Sequence, residues 1–437
     1  MASSVRDAPD VLHALPRFAG VDDDAYAPGV ERVEALLDAM GNPHRHLRTV
    51  HVAGTNGKGS VASMIASIAT AAGLRTGLHT SPHVHHVSER MRVDGVPVSD
   101  EWLADAVARY EQVFRDIGPS FFEATVALSF RYFADRNVRL AVVEVGLGGR
   151  LDATNVLQPD LALITSIDLE HTHLLGDTVE AIAREKAGIV KPQTPVLIGE
   201  LDEAATRTVR AVAADQGAPF AALSDTVTWR APHQDLSGSV LDVETPMRTY
   251  DRLHSPLLGA HQHANAALAV RAAEAVVPRV AFEPNPVHEG LSELRRYTGL
   301  RGRLDVWASD PLVVADVAHN PSSLEATLET IAPEVKGDVV IGIAVAHDKD
   351  LDALANLLGR YATAVVPLNL PGDPDAKRLA SPGALAKRLR PCGIDVRSPA
   401  TVAEAVRAFR VGASPDDGLL LTGSHRVVAQ GPPGTTG

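Results

Sequence analysis

Short apolar runs closed by glycine, proline or charge alternate along this chain with longer stretches whose apolar positions recur every three to four residues. The runs at 49–53, 75–80, 140–145, 161–166 and 196–199 predict buried strands, with helices between them at 29–40, ended by Gly41, and at 123–135. Strands alternating with helices favour a parallel sheet wound with helices, an α/β fold. From about 225 to 253 the pattern changes to short alternating segments (226–230, 239–243, 247–253), which predict a small antiparallel appendage. A second α/β series follows, with strands expected at 312–317, 339–344, 364–370, 394–397 and 419–422. The join at 294–303 is rich in arginine and glycine and reads as a hinge, giving domains 1–298 and 299–437. The tail from Gly431 to Gly437 reads as disordered.

Within the first series, one junction carries more chemistry than the rest. After the strand 49–53 comes Gly54-Thr55-Asn56-Gly57-Lys58-Gly59-Ser60, and then an amphipathic helix with Val61, Met64, Ile65, Ile68 and Ala69 on one stripe and Gly73 as its stop. A helix N-terminus presents unpaired N–H groups and partial positive charge, so a phosphate docks there. The three glycines let backbone approach an anion, Lys58 adds a full charge, and the Ser60 hydroxyl suits Mg²⁺. The loop departs from the standard Walker pattern: Val52 stands where its first glycine belongs, and Gly59 separates Lys58 from the hydroxyl.

Composition narrows the class. The 437 residues carry a net charge of −13, which argues against a general nucleic-acid or anionic-membrane surface. The single cysteine, Cys392, excludes an intramolecular disulfide and a cysteine-rich metal site. No apolar stretch is long enough to span a bilayer and Met1 to Arg17 holds no continuous apolar run, so a reduced cytoplasm is the expected location.

Ligands of open parallel sheets bind beyond the carboxyl ends of the strands. There the chain collects Lys58 and Ser60, then Ser81, then Glu144, then Asp168, Glu170, His171 and His173. Oxygens from Ser60, Ser81 and Glu144 suit Mg²⁺ bridging nucleotide phosphates; His171 is unusual for magnesium and on its own reads more readily as a satisfied structural histidine. Gly146-Leu147-Gly148-Gly149-Arg150 fails the dinucleotide fingerprint, since Leu151 occupies its third glycine, and predicts instead a turn bringing backbone close to a ligand. The histidines 79, 83, 85 and 86 match no zinc spacing and read as surface or loop residues.

These motifs, together with Ser81-Pro82-His83, Glu89-Arg90, Phe121-Phe122-Glu123, Glu144 to Asn155, Arg184 to Ile189, His261-Gln262 with Asn265, and Asp316 to Pro321, resemble the folylpolyglutamate synthase/dihydrofolate synthase family of the Mur ligase superfamily, over nearly the whole chain. The family's usual glycine before the alanine of Asp-x-Ala-His-Asn-Pro is Val317 here. The resemblance implies a P-loop-type ATPase domain like the Mur ligase central domain, followed by a Rossmann-like α/β domain. It implies an ATP-dependent ligase that activates a pteroyl carboxylate as an acyl phosphate and joins it to L-glutamate. The substrates would be dihydropteroate, reduced folates or both, with no nucleic-acid or membrane partner and a monomeric chain. A Mur-type cell-wall ligase is the lesser alternative, since it would carry a further domain ahead of the loop, and a nucleotide switch without a ligase step is another.

Carried over by resemblance, Gly54 to Ser60, Asn265, Arg303, Asp316 and His319 would serve ATP, and Ser60, Ser81, Glu144, His171 and Lys186 would serve Mg²⁺ at two sites, with a monovalent cation as a further candidate. Phe121, Phe122, Glu123 and Ala124, with Leu151, Asp152 and Ala153, would form the pterin side, where a phenylalanine stacks and the Asp152 carboxylate accepts ring N–H groups. Lys58, Lys186, His171 and His319 would be catalytic. For Phe121 and Phe122, core packing at a helix start is an equal reading.

Lys186 presents a separate problem. Its helix is expected to start at an Asp177 cap with Glu180 completing a capping box, and to end at Gly188. Val179, Ile182, Ala183 and Lys186 then share one inward stripe, so the lysine must neutralise, pair with Glu144 or Asp168, or be modified. The resemblance implies the last, a carbamate formed with CO₂.

Overall fold

The computed structural model describes residues 11, 12, 15, 29–373 and 376–431. The expected disorder beyond Gly431 concerns 432–437, which lie outside the described residues. The chain divides into two compact units: 1–233, 240–256 and 262–299 form the first, and 234–239, 257–261 and 300–437 the second.

The first unit is built on an eight-stranded sheet in the order Val96–Pro97, Met91–Val93, Thr76–His79, Leu140–Glu144, Thr49–Ala53, Leu161–Ile164, Val196–Ile198, Phe220–Ala222. From Thr76–His79 to Phe220–Ala222 the pairing is parallel. The strands 49–53, 140–144 and 161–164 are buried at every position, as expected of a sheet covered on both faces. Two antiparallel edge strands at 91–93 and 96–97 were not evident from the sequence, because they are short and Pro97 ends the second.

One face is covered by Glu31–Ala39, Asp100–Ile117 and Phe121–Asp135, packed over Phe130, Phe133 and Leu103. The other carries Val179–Ala187 and Glu203–Asp215 over Ile164, Ile182 and Val209. The appendage is a three-stranded sheet in the order Thr249–Ser255, Gly238–Glu244, Thr228–Asp235.

The helix after the phosphate loop differs from its expected amphipathic form. It runs Lys58–Ala71, and every residue from Gly59 to Ala69 is buried. The polar residues of that buried span are small serines, and one of them, Ser67, fits against a second helix, Asn285–Ser292. Ser67 Oγ donates to the Gly290 carbonyl at 2.5 Å, and a Cβ on Gly290 would lie 2.5 Å from Ile68 Cα. The expected hinge also begins later than its composition implied: Leu294–Thr298 is helical, with Leu294 and Thr298 buried, and Gly299 ends it in the left-handed region at φ 65°.

The second unit has the sheet order Asp305–Ser309, Leu312–Ala315, Gly418–Thr422, Val339–Ile343, Ala364–Asn369, Asp395–Val396, with Ala400–Thr401 also pairing to 364–369. Only its first pair is antiparallel. Helices Pro321–Ile331 and Leu351–Tyr361 pack on it over Leu328, Leu354 and Ile341. Among the described residues no helix is long and apolar enough to cross a membrane.

Candidate active site

The phosphate loop is shaped by the segment that follows strand 161–164. Thr165 Oγ1 donates to the Asn56 carbonyl at 2.6 Å, and the Asn56 amide donates to Ser166 Oγ at 2.9 Å. The Thr55 amide donates to the Ser166 carbonyl at 2.7 Å, and Asn56 Nδ2 reaches Asp168 Oδ2 at 3.2 Å. Asp168, expected at the strand end as a ligand-type group, thus holds the loop. Thr165 and Ser166 went unmarked in the sequence; their one signal is position, directly after a buried strand. Glycine is required at 54, where φ is 152° and a Cβ would sit 1.9 Å from Thr165 Oγ1.

Gly57, at φ 82°, starts the helix, and a Cβ there would press on Asn265 Oδ1 at 2.7 Å, so Asn265 lies against the loop. Lys58 Nζ folds back to donate to the carbonyls of Gly54 and Thr55 at 3.0 and 2.9 Å. Lys186 Nζ donates to the same Gly54 carbonyl at 2.8 Å. Two ammonium groups therefore converge on one carbonyl oxygen beside a helix N-terminus. Lys186 is 3 % exposed, and burial, followed by the charge of Lys58, lowers its pKa to about 7, against the pull of Glu170, Asp168 and Asp152. Its hydrogen-bond partner is a carbonyl, so the alternative of an ion pair with Glu144 or Asp168 is not the arrangement seen. The cap of its helix also differs: Thr178, not Asp177, accepts the Ala181 amide, because the helix begins at Val179.

Around this cradle, Ser60 is fully buried and Glu144 is buried, with Glu144 Oε2 accepting the Ser81 amide at 2.9 Å. His171 heads the short helix Thr172–Leu175 in the left-handed region, half-buried. Among the described residues no three His, Cys, Asp or Glu side chains group as a metal site. A metal here would draw on the hydroxyls of Ser60 and Ser81 with the Glu144 carboxylate, a hard oxygen set that fits Mg²⁺ and not zinc.

The 146–156 loop is organised from within. Asp152 Oδ2 accepts the Leu147 amide at 2.8 Å, while Oδ1 accepts the Thr154 amide at 2.9 Å and the Thr154 hydroxyl at 2.5 Å. Burial raises the Asp152 pKa and these donors oppose the rise. The glycines here approach the protein's own atoms. A Cβ on Gly149 would meet the carbonyls of Glu185 and Lys186 at 2.7 and 2.8 Å, and one on Gly146 would meet the Phe122 ring at 2.4 Å. Leu151 is half-buried, and Ala153 and Ala124 lie in the core.

Phe121 is buried beneath the Arg90 guanidinium, 5.0 Å from its ring centroid, and Arg90 Nε donates to His83 Nδ1 at 2.9 Å. Glu123 closes a capping box with Ser120 and pairs with Arg32 Nη2 at 2.8 Å, so its carboxylate anchors the helix. The histidine run separates by burial: 83, 85 and 86 lie in a loop, but His79 is a fully buried strand residue.

In the second unit, Asp316 accepts the amides of Leu304 at 2.8 Å and Ala318 at 2.7 Å and tightens the turn that carries Arg303. Burial raises its pKa and the neighbouring Arg303 charge lowers it. His319 Nδ1 lies 2.9 Å from the Val317 carbonyl, and Asn320 caps helix Pro321–Ile331.

A glycine loop, a buried helix and converging lysines followed by a second α/β unit define a nucleotide-dependent ligase class. Residues 52–273 match the Mur ligase middle domain and 302–425 the Mur ligase glutamate ligase domain. The folylpolyglutamate synthase of Lacticaseibacillus casei is 33 % identical over 84 % of this chain and 85 % of its own length. The dihydrofolate synthase/folylpolyglutamate synthase of Bacillus subtilis is 36 % identical over 76 % of this chain and 77 % of its own. The Mycobacterium tuberculosis folylpolyglutamate synthase complexed with ADP and AMPPCP superposes with a TM-score of 0.86 at 30 % identity, covering 98 % of both chains. The chain belongs to the folylpolyglutamate synthase/dihydrofolate synthase family of Mur-type ligases.

Proposed function

We propose that this chain is an ATP-dependent ligase that adds L-glutamate to dihydropteroate, to reduced folates, or to both. The observation that carries the reading is the pair of ammonium groups, Lys58 and Lys186, meeting at the Gly54 carbonyl with no carboxylate bonded to either. Such a pocket is completed by an anion, and a nucleotide's terminal phosphates supply one.

A carboxylate is a poor electrophile. In the proposed reaction its oxygen attacks the γ-phosphorus of ATP, the bond to the bridging oxygen breaks, and ADP leaves. The glutamate amine then attacks the acyl carbon and loses a proton, and phosphate departs as the amide forms. Lys58 and the N-terminus of helix 58–71 offset the crowded negative charge. Ser60, Ser81, Glu144 and His171 would hold Mg²⁺, which supplies further charge neutralisation at the phosphates. With its pKa near 7, Lys186 has a substantial neutral fraction at physiological pH. Its amine can then add to CO₂ and release a proton, turning a cation into an anionic oxygen donor. Asp152 and Phe122 face the pterin reading, Asn265 the nucleotide, and in the second unit Arg303, Asp316 and His319 share that role. The chain acts on small molecules, as a monomer in the cytoplasm.

Purified protein assayed with dihydropteroate and with tetrahydrofolate, each with ATP and glutamate, should release ADP only when glutamate is present, with a product heavier by one glutamyl unit. ADP release that ignores glutamate, or none with either substrate, overturns the reading.

A further inference from the structure

Two histidines, His51 and His79, are fully buried in strands of the first sheet, and the proposed reaction uses neither. Burial pushes the pKa of each down to about 3, so both rings are neutral and each carries one proton. Counting hydroxyl protons settles where that proton lies. Thr154 has one, and at 2.5 Å its hydroxyl donates to Asp152 Oδ1. The 2.8 Å contact between His51 Nε2 and Thr154 Oγ1 must then be a donation from the ring, which makes His51 the Nε2–H tautomer. Its Nδ1, which has no hydrogen-bond partner, is left as a bare lone pair. His79 is the mirror case. Ser129 Oγ gives its proton to the Thr125 carbonyl at 2.7 Å, so His79 Nδ1 donates to Ser129 Oγ at 2.8 Å, and its unpartnered atom is Nε2.

The opposite proton arrangement around Asp152 is disfavoured by the same count. If Asp152 carried a proton and donated to Thr154, the threonine would donate to His51 Nε2. The ring proton would move to Nδ1, where a buried N–H would stand without an acceptor. An unmade donor of that kind is more costly than an unused ring lone pair. Three donors, the amides of Leu147 and Thr154 and the Thr154 hydroxyl, meanwhile all face the carboxylate.

We propose that His51 is a positioning residue for Asp152: acting through the Thr154 hydroxyl, it fixes the direction of the hydrogen-bond chain so that Asp152 stands ionised and oriented as an acceptor for the N–H groups of a pterin ring. The His51–Thr154–Asp152 chain runs from the strand that feeds the phosphate loop to the 146–156 loop. The substrate half of this proposal rests on the reading of Asp152 as a pterin-side residue; the proton arrangement does not.

The experiment has two arms. In full-length protein with ¹⁵N-labelled histidine, the ring resonances of His51 and His79, assigned with His51→Gln and His79→Gln, should report opposite tautomers: Nε2–H for His51 and Nδ1–H for His79. An Nδ1–H form at His51 overturns the proposal whatever the substrate. In the kinetic arm, His51→Leu and Thr154→Val should raise KM for dihydropteroate roughly tenfold, with kcat and the KM for ATP within about twofold. His51→Gln and Thr154→Ser, which keep a donor at each position, should restore KM toward the parent value. Equal losses in the donor-keeping and donor-lacking variants, or equal shifts in the KM for ATP, overturn the positioning role. Where the parent protein uses only tetrahydrofolate, the KM for that substrate is the one read; if it turns over neither pterin substrate, the pterin reading of Asp152 fails, while the tautomer arm still decides the hydrogen-bond direction.

Discussion

Two glycine-containing loops leave neighbouring strands of one sheet and solve opposite electrostatic problems. The 54–60 loop follows strand Thr49–Ala53 and is short of negative charge: Lys58 and Lys186 both aim at the Gly54 carbonyl, a dipole where an anion is wanted. The 146–156 loop follows strand Leu140–Glu144 and is complete in itself, with each Asp152 oxygen accepting from the loop's own donors. Glycine serves both, at 54 to clear Thr165 and at 149 to clear the 179–187 helix. The difference lies in the side chain each loop encloses. Cations hydrogen-bonded to a backbone carbonyl mark a site finished by its ligand, and a carboxylate oriented by its own loop marks one organised beforehand.

If that contrast is right, the largest effect comes from Lys58→Ala. Removing the Lys58 charge at the phosphates should cut glutamate-dependent ADP release on the order of 10³-fold, with the melting temperature nearly unchanged. A variant retaining most of its turnover would erase the contrast. Lys186→Ala should follow, with activity down about 10²-fold and partly restored by short-chain carboxylic acids that occupy the vacated space. Loss without any rescue would leave Lys186 as a structural ammonium and remove the carbamate. The smallest effect concerns stability. His79 has an ordinary pKa of 6.5 when unfolded and about 3 when folded, so between these values the unfolded chain binds the extra proton. The stability associated with the neutral ring is intact above pH 6.5 and falls by ~1.4 kcal/mol for each pH unit below it, down to about 3. Denaturation at pH 7 and pH 5 should therefore show the parent losing about 2 kcal/mol more than His79→Gln. Equal losses would mean that His79 is charged or solvated in the fold.

The sequence was legible where hydrophobic period and chain direction agree. The central parallel strands of both units and the helix-starting phosphate loop were placed from pattern alone, since burial on both faces leaves near-continuous apolar runs, while the short parallel strands Phe220–Ala222 and Ala400–Thr401 were not. Edge strands escaped notice because an edge such as Val96–Pro97 needs few apolar residues. The helix after the loop looked amphipathic because serine counts as polar in a pattern, while Ser63 and Ser67 are small enough to be buried where another helix approaches. Polar residues gave away their identity but not their partners. Glu123 looked like a substrate contact and is bonded to Ser120 and Arg32; Asp152 is bonded to its own loop. The Arg32–Glu123 pairing joins atoms 91 residues apart, which no local spacing encodes, whereas Ser120 to Glu123 is a capping-box spacing and Asp152 finds its donors within five residues.

Helix Lys58–Ala71 is buried from Gly59 to Ala69, and this bears on how the protein should respond to ionic strength. Mobile ions have little access to its buried flanks, so its field is screened less than the repulsion of an incoming polyphosphate by a chain of net charge −13, which acts through solvent and is screened over about 10 Å at 0.1 M salt. Added salt then weakens the barrier to approach while sparing the local attraction, so nucleotide capture quickens in brine where that of most anion-binding surfaces slows.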